Sequence, residues 1–178
     1  MSASFDQSAA AITGWGHALP RAKVASEQLE QIHRLKAGSL VAATGVKTRY
    51  IADRLGAETQ VALGLRAARV ALERADCSAS SLDLIIAASA VPQQLIPSTA
   101  PLYQQGLGLP DGGCQVLDVN TTCLSALSAL EIAASYLESG RARRVLIVSS
   151  ELASCALPWH AAPEVAGLFG DGAGAWVG

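Results

Sequence analysis

The stretch DVNTTCLSALSALEIA, residues 118–133, joins the end of an apolar, strand-like run to a run of small and aliphatic residues typical of a helix. Cys123 stands at the junction. A helix beginning there would place the Cys123 thiol in its first turn, where unpaired backbone N–H groups and the helix dipole favour a negative charge. Such a position stabilises a thiolate, the nucleophilic form of cysteine. The alternative is a buried structural cysteine, because free cysteine also behaves as a small apolar residue.

The helix predicted over residues 123–139 is apolar on nearly every face across residues 124–134, where it is interrupted only by two serines and Glu131. An all-round apolar helix is normally buried on all sides. We therefore expect this helix to be covered from both sides and to hold Cys123 rigidly. Three residues before it are good helix caps: Asn120, Thr121 and Thr122.

Strand and helix signals alternate along the rest of the chain. Apolar runs predict five strands, over residues 10–19, 82–90, 113–120, 143–151 and 170–178. Helices are predicted over residues 26–36 with Ser26 as the N-cap, over residues 58–75, and from Ser98 through Tyr103. The spacing of four residues predicts the buried stripe of the second helix: Val61, Leu65, Ala68 and Leu72. This alternation indicates an α/β protein.

Composition excludes several classes of function. The formal charge of -2 gives no basic footprint for nucleic acid. No apolar run reaches the roughly 18 residues that span a bilayer, and no basic segment followed by an apolar core opens the chain, so we expect a cytoplasmic protein without a membrane partner. The four cysteines are widely spaced and form no CxxC pair, which argues against both a metal site and a disulfide framework.

Three segments make the sequence similar to the condensing enzymes of the thiolase superfamily, and most closely to β-ketoacyl-acyl-carrier-protein synthase III. They are TGVKTRYIAD (44–53), DVNTTCLSALSALEIA (118–133) and LFGDGAGA (168–175). The resemblance implies a thiolase-like α/β fold in which a mixed five-stranded sheet has helices on both faces, as one lobe of an αβαβα architecture. Residues 1–178 would form a single N-terminal lobe, and the C-terminal lobe would be absent from this chain.

The resemblance also implies roles for particular residues. Cys123 would accept the acyl group as a thioester, and Thr122 and Phe169 would contact substrate beside it. Ile96 would cross a dimer interface into the acyl pocket of the partner. The implied reaction is a decarboxylative Claisen condensation with ping-pong acyl transfer, which needs no cofactor besides its acyl-CoA or acyl-carrier-protein thioester substrates.

Two alternatives stay open. A related acyltransferase would pass the acyl group from Cys123 to oxygen or nitrogen. A noncatalytic partner subunit would serve for dimerisation, although such subunits commonly lose the nucleophile that this chain keeps. A cysteine–histidine pair within this chain would need His17, His33 or His160 beside Cys123.

The sequence departs from the family at the positions that grip coenzyme A. Ser39, Ala43 and Pro163 stand where the resemblance places a tryptophan and two arginines that hold the adenine. We therefore expect a carrier-protein donor, or CoA held by other contacts. The GDGAGA run (170–175) would suit a dinucleotide only if it opened a helix, whereas here it enters a strand.

A second lobe of similar fold is expected for three reasons. The chain halts in an apolar strand that would be a liability as a sheet edge, and helix 123–139 needs cover from both sides. The family's catalytic His and Asn also match no segment of this sequence. Two lobes would then pack together, and the full enzyme would be a homodimer.

Overall fold

A mixed five-stranded sheet forms the centre of the structure, which is a computed structural model describing residues 10–53 and 55–178. Across the sheet the order is β1 (Gly14–Ala18), β7 (Asp171–Val177), β6 (Val145–Leu152), β4 (Leu84–Ala88) and β5 (Gln115–Val119). Strands β4, β5 and β6 are parallel, whereas β7 runs antiparallel to both β6 and β1. The α/β class and the mixed five-stranded sheet predicted from the sequence are confirmed.

Helices cover both faces of this sheet. On one face lie α3 (Gln60–Arg74) and α4 (Thr99–Gly106), and on the other lies α5 (Ser125–Glu138). Side chains of β4 alternate between the faces. Ile85 packs with the buried residues of α3, which we call the α3 cluster, and Ile86 packs with those of α5, the α5 cluster. Both faces of β4 are therefore buried, which explains its continuous apolar sequence.

The buried face of α3 differs from the predicted stripe. Val61 and Leu65 are only half-buried, and the buried residues are Gln60, Leu63, Gly64, Ala67, Ala68, Ala71 and Leu72. The reason is the close approach of β1. A Cβ on Gly16 would lie 2.3 Å from the carbonyl oxygen of Ala67, and a Cβ on Gly14 would lie 2.3 Å from that of Ala71. Small residues are needed on both surfaces at this contact.

The described residues bury helix α5 on one side only, so its cover from both sides stays a prediction. Its buried side chains are Ser125, Ala129 and Ala133, whereas Leu127 and the preceding Leu124 are 63% and 58% exposed. The sheet covers one side of the helix only. Its N-cap is Leu124, which makes no side-chain capping hydrogen bond, so the predicted polar caps do not serve α5.

The last strand is not an edge of the sheet. β7 lies between β1 and β6, and the edges are β1 and β5. The predicted edge liability at residues 170–178 is therefore wrong, because β1 returns to pair with β7 over Gly14–Ala18. Within the described residues, no helix has the length and apolar character needed to cross a bilayer.

A small second layer of structure lies beside one end of the sheet, and sequence patterns predicted only its first helix. It contains the antiparallel pair β2 (Ala22–Ala25) and β3 (Thr48–Ile51) with the short helices α1 (Ser26–Ile32), α2 (Ser39–Thr44) and α6 (Pro163–Ala166). Ala25, not Ser26, is the N-cap of α1. The Ser26 hydroxyl is engaged elsewhere, because it donates to the carbonyl oxygen of Val46 at 2.5 Å.

Candidate active site around Cys123

Cys123 lies at the junction that the sequence predicts. It occupies a 3-10 turn, Thr122–Leu124, between β5 and α5, and its side chain is exposed. The parallel strands β4, β5 and β6 all end at this edge of the sheet. Ligands of α/β proteins bind at the carboxyl ends of such strands. The position therefore suits a nucleophile better than a structural thiol.

Side chains hold the backbone around Cys123 in an unusual conformation. Thr122 has a φ of 52°, in the left-handed region that β-branched residues rarely adopt. Its N–H donates to Oδ1 of Asn120 at 3.1 Å, and its carbonyl oxygen accepts from the Ser125 hydroxyl at 2.6 Å. Ser125 Oγ in turn accepts from the N–H of Thr121 at 3.0 Å. A left-handed non-glycine residue costs of order 1–3 kcal/mol and persists only where its surroundings enforce it.

The loops that follow the three parallel strands are bonded into one unit. Nδ2 of Asn120, after β5, donates to the carbonyl oxygen of Ala90, after β4, at 3.1 Å. The Glu151 carboxylate, near the end of β6, accepts from the N–H of Ala90 and from that of Val91 at 3.3 Å. The floor beneath Cys123 is thus fixed by polar bonds between strands, as a preorganised site requires.

The Cys123 thiol opens into a pocket of about 350 Å³. Most of its lining is apolar, including Val91, Ala126, Ala153, Ala156, Leu157 and Phe169. Four polar side chains also reach it: Thr122, Ser125, Ser149 and Glu151. A concave, largely apolar wall with a few polar groups near one end suits a hydrocarbon chain attached to a polar carbonyl.

The structure brings together three of the four residues singled out in the sequence. Thr122 and Phe169 line the same pocket as Cys123. Ile96 does not, because it is 90% exposed on the loop between β4 and α4. Sequence patterns missed Glu151, although it ends the predicted strand 143–151 and thus stands at the same end of the sheet as Cys123.

The glycine-rich run around Phe169 enters a strand, as the sequence indicates. β7 begins at Asp171, whose buried carboxylate accepts from the N–H of Ala52 at 2.8 Å. The same carboxylate accepts from the N–H and hydroxyl of Ser154 at 2.9 and 2.7 Å. These bonds fix the start of β7 beside the pocket and give the aspartate a structural explanation that needs no nucleotide.

The three histidines lie away from the pocket lining. His33 stacks on Trp159 with ring centroids 4.4 Å apart, and His160 approaches the His33 ring edge-on at 6.0 Å. Burial, with a contribution from the charge of His160, lowers the pKa of His33. His17 lies on β1. No histidine is among the residues lining the Cys123 pocket, so the geometry does not favour a cysteine–histidine pair here.

The other cysteines differ from Cys123 in exposure. Cys77, Cys114 and Cys155 are half-buried free thiols. Burial raises the pKa of the Cys114 thiol, and the nearby Asp83 carboxylate adds to the effect. In residues 10–53 and 55–178 no three His, Cys, Asp or Glu side chains are grouped in a way that could hold a metal ion.

The positions expected to grip coenzyme A lie on two short helices that pack together. Ser39 and Ala43 are on α2, and Pro163 begins α6. The packing is close: a Cβ on Gly167, at the end of α6, would lie 2.9 Å from the Leu40 side chain of α2. None of the three side chains offers a stacking ring or a cationic group.

Comparisons with known proteins agree with the resemblance in sequence. The family of 3-oxoacyl-[acyl-carrier-protein (ACP)] synthase III matches residues 117–177. The β-ketoacyl-[acyl-carrier-protein] synthase III of Erythrobacter litoralis is 41% identical over 168 residues, which are 94% of this chain and 51% of the relative. The chain spans about half the length of the curated relatives it matches.

Solved structures show the same similarity in three dimensions. The 3-oxoacyl-[acyl-carrier-protein] synthase III of Aquifex aeolicus VF5 has a TM-score of 0.83 and 38% identity, over 93% of this chain and 52% of that one. The priming β-ketosynthase of the R1128 polyketide pathway has a TM-score of 0.84 and 29% identity, over 93% and 48%. The thiolase-like fold and the resemblance to these condensing enzymes are confirmed.

Proposed function

We propose that this chain is the acyl-accepting lobe of a condensing enzyme similar to β-ketoacyl-acyl-carrier-protein synthase III. The observation that carries the proposal is the exposed Cys123 thiol, which opens from a strand-to-helix junction into a largely apolar pocket. A nucleophile and a site for a hydrocarbon chain are thus in the same place. The extent of the similarity, over nine-tenths of the chain, supports the same conclusion.

In the first half-reaction, Sγ of Cys123 attacks the carbonyl carbon of a donor thioester. The carbonyl oxygen becomes an oxyanion, and the backbone N–H of Cys123 donates to it. When the tetrahedral intermediate collapses, the bond to the donor sulfur breaks and the carrier leaves as its thiol, taking up the proton that the Cys123 thiol released. The acyl group remains on Cys123 as a thioester, with its chain in the pocket beside Phe169.

In the second half-reaction, a β-carboxylated thioester loses carbon dioxide and becomes an enolate. The enolate carbon attacks the carbonyl carbon of the Cys123 thioester, a carbon–carbon bond forms, and the cysteine sulfur leaves. By resemblance, a histidine and an asparagine stabilise the enolate. Both are assigned to a second lobe, because no segment of this sequence matches theirs.

The proposed second lobe would cover the exposed side of α5. Leu124 and Leu127 are large aliphatic side chains beside the nucleophile, yet more than half of each is exposed in this chain. An exposed pair of large aliphatic side chains, one helical turn apart, is what cover by a second lobe would bury. A homodimer would use the loop before α4, where Leu95 and Ile96 are 87% and 90% exposed, to place Ile96 in the partner's acyl pocket.

We further propose that the donor arrives on a carrier protein in preference to free CoA, and that the enzyme works in the cytoplasm. Ser39, Ala43 and Pro163 supply neither stacking nor charge for an adenine nucleotide. Acylation rates measured with one acyl chain on both carriers test the donor. Faster transfer from CoA would mean that another surface binds the nucleotide.

Intact-mass analysis of the full-length protein after incubation with a panel of acyl donors tests the nucleophile. We expect a mass increase of one acyl group minus one hydrogen, located by peptide mapping at Cys123. Cys123→Ala should abolish the label. Cys155→Ala is the matched control, because Cys155 is a half-buried thiol that lines a neighbouring pocket, and it should be labelled as the wild type is.

Product analysis then separates the reaction types. A β-ketoacyl product identifies condensation. An ester or amide product would instead identify acyl transfer to oxygen or nitrogen. If no donor in the panel acylates Cys123, the remaining function for this lobe would be that of a noncatalytic partner subunit.

A further inference from the structure

Phe169 belongs to a short connection, residues 167–171, that runs from the end of α6 to the start of β7. Phe169 and Gly170 line the Cys123 pocket, and the Phe169 side chain is 41% exposed. A half-exposed ring on a connecting segment is held only if the backbone on either side of it is fixed. The contacts of this segment therefore determine the position of the Phe169 ring in the pocket lining.

Strand β3 and Ala52, the residue that follows it, contact this segment at three points. Nη2 of Arg49 donates to the carbonyl oxygen of Gly167 at 2.6 Å. A Cβ on Gly170 would lie 2.9 Å from the carbonyl oxygen of Tyr50, so the segment lies directly against the strand. The N–H of Ala52 donates to the Asp171 carboxylate at 2.8 Å. Phe169 is thus flanked on both sides by residues fixed to β3 or to the residue that follows it.

Of the three residues, only Arg49 uses its side chain. Its contact requires a side chain that is long and cationic, whereas Tyr50 and Ala52 make theirs through the backbone. Arg49 as a residue is 5% exposed, and its Nη2 also donates to Oγ of Ser26 at 3.1 Å. Within the part of the chain that the structure describes, Nε and Nη1 have no hydrogen-bond partner. Burial lowers the pKa of Arg49.

A buried, incompletely bonded guanidinium is costly for folding, and an aliphatic side chain of similar volume would often be as stable. Stability alone therefore gives no reason for an arginine at this position. What an aliphatic side chain could not do is donate a hydrogen bond to Gly167, two residues before Phe169. The bond is charge-assisted and short, so it restrains this backbone strongly.

We propose that Arg49 is a positioning residue that sets the place of Phe169 in the wall of the Cys123 pocket, and thereby sets which acyl chain lengths the pocket accepts. The inference rests on the proposed function, in which the pocket receives the acyl chain. Arg49 acts through the Gly167 carbonyl and need not touch substrate. Chain-length selectivity, rather than fold stability, is the property that this arginine controls.

The test is the chain-length dependence of Cys123 alkylation in the full-length protein, using N-alkyl maleimides from methyl to octyl and intact-mass detection. Alkylation needs no acyl transfer, so it reports on the pocket even if no donor acylates the enzyme. Phe169→Ala should raise the octyl-to-methyl rate ratio by enlarging the pocket. Arg49→Met should move the ratio in the same direction by roughly three- to tenfold, because small misplacements of a site group have large kinetic effects.

Two comparisons separate positioning from a general structural role. In the Phe169→Ala background, Arg49→Met should change the ratio no further, since the ring that it positions is gone. Arg69→Met is the matched control, because Arg69 also donates to a glycine carbonyl, that of Gly106 at 2.9 Å, but on an exposed surface away from the pocket. This control should leave the ratio unchanged.

Arg49→Lys decides the matter if Arg49→Met fails to fold. Lysine keeps the charge and one donor but not the fork, so we expect a smaller shift of the ratio in the same direction. A wild-type ratio in Arg49→Lys or Arg49→Met, or an undiminished effect in the Phe169→Ala background, overturns the proposal. Absence of acylation by every donor, with the expected maleimide ratios, would refute the proposed function while leaving the positioning role intact.

Discussion

The two faces of the central sheet are covered to different degrees. On the α3 face, Leu63, Ala67, Ala68 and Ala71 are fully buried against the strands. On the α5 face, the sequence is more continuously apolar, yet only three residues of the helix are buried. Apolar content therefore does not rank these helices by burial. Small residues let α3 pack closely on the strands and bury the first face. On the second face, larger side chains stay exposed and available to a further partner.

This difference matters because Cys123, the proposed nucleophile, is at the start of the less covered helix. Cys123 and Leu124 precede α5 and are both exposed, while α3 begins with a Thr59 cap whose Oγ1 accepts from the N–H of Ala62 at 3.1 Å. The α3 face stabilises the fold. The α5 face presents the site and the surface proposed for a second lobe.

Truncating one leucine on each face gives the largest expected contrast. Leu63→Ala should lower the free energy of unfolding by about 2–5 kcal/mol, because it leaves a cavity in a fully buried cluster. Leu127→Ala should change it by less than about 0.5 kcal/mol in the 178-residue chain, since the side chain is exposed. Urea denaturation measures both values. Equal losses would show that α5 is as well covered as α3.

The same Leu127→Ala substitution sharpens the comparison in the full-length protein. If a second lobe covers Leu127, the loss should rise above roughly 1 kcal/mol, since the apolar area removed from water is then larger. An unchanged value would place the interface elsewhere.

The next effect concerns the glycine contact between β1 and α3. Gly16→Ala should destabilise the protein by about 1–3 kcal/mol, because the added Cβ meets backbone atoms that cannot turn aside. Gly174→Ala on the paired strand is the control, since its Cβ would meet nothing closer than 3.5 Å. Thermal unfolding of both variants checks the prediction. Similar melting temperatures would mean that the α3 face is less tightly packed than the distances indicate.

Thr122→Gly tests the backbone at the start of the α5 face. Glycine adopts positive φ without steric cost, so relief of strain should offset its greater flexibility in the unfolded chain. We expect the free energy of unfolding to stay within about 1 kcal/mol of the wild-type value, or to rise. Thr121→Gly, which loses a hydroxyl contact to Ser128 at 2.9 Å without relieving a positive φ, should lower it. Denaturant titration that ranks the two variants in the opposite order would contradict this account.

The smallest effect is a pH dependence at Cys114, which packs against the α3 cluster. Its raised pKa means that the folded protein holds the thiol proton more tightly than the unfolded chain. The associated stability is complete below the pKa of an ordinary thiol and is lost as the pH rises through the higher folded pKa. Iodoacetamide labelling followed by peptide mapping should show the Cys114 rate still rising at pH values where a free thiol has levelled off. A profile identical to that of a model thiol would contradict the shift.

The main sheet was predictable because its central strands are buried on both faces. Ile85 and Ile86 point to opposite sides and are both fully buried, so their strand is a continuous apolar run in the sequence. Strands β2 and β3 were missed because each has four residues and mixed exposure, which leaves no periodic signal. The buried stripe of α3 was misplaced because it follows the glycines of β1, which are distant in sequence.

At the site, residues that are close in sequence could be predicted, whereas contacts between segments distant in sequence could not. Cys123 and Thr122 belong to one strand-to-helix junction, and Phe169 to a recognisable motif. Glu151 and Arg49 act through hydrogen bonds to segments 60 and 118 residues away in sequence. No periodicity encodes such pairs. The predicted capping of α5 was wrong for a related reason, because the Asn120 side chain forms its hydrogen bonds with loop backbone and not with the first turn of the helix.

The pairing of β1 with β7 has a consequence for synthesis on the ribosome. Gly14 pairs with Val177, so the first strand of the sheet has no partner until nearly the whole described chain has been made. At translation rates of about 5–20 residues per second, β1 would remain unpaired for roughly 10–30 s. During that interval its glycines cannot settle against α3 within a completed sheet. The nascent chain therefore exposes a strand edge that a chaperone can occupy, and folding of the five-stranded sheet finishes only after its last strand leaves the exit tunnel.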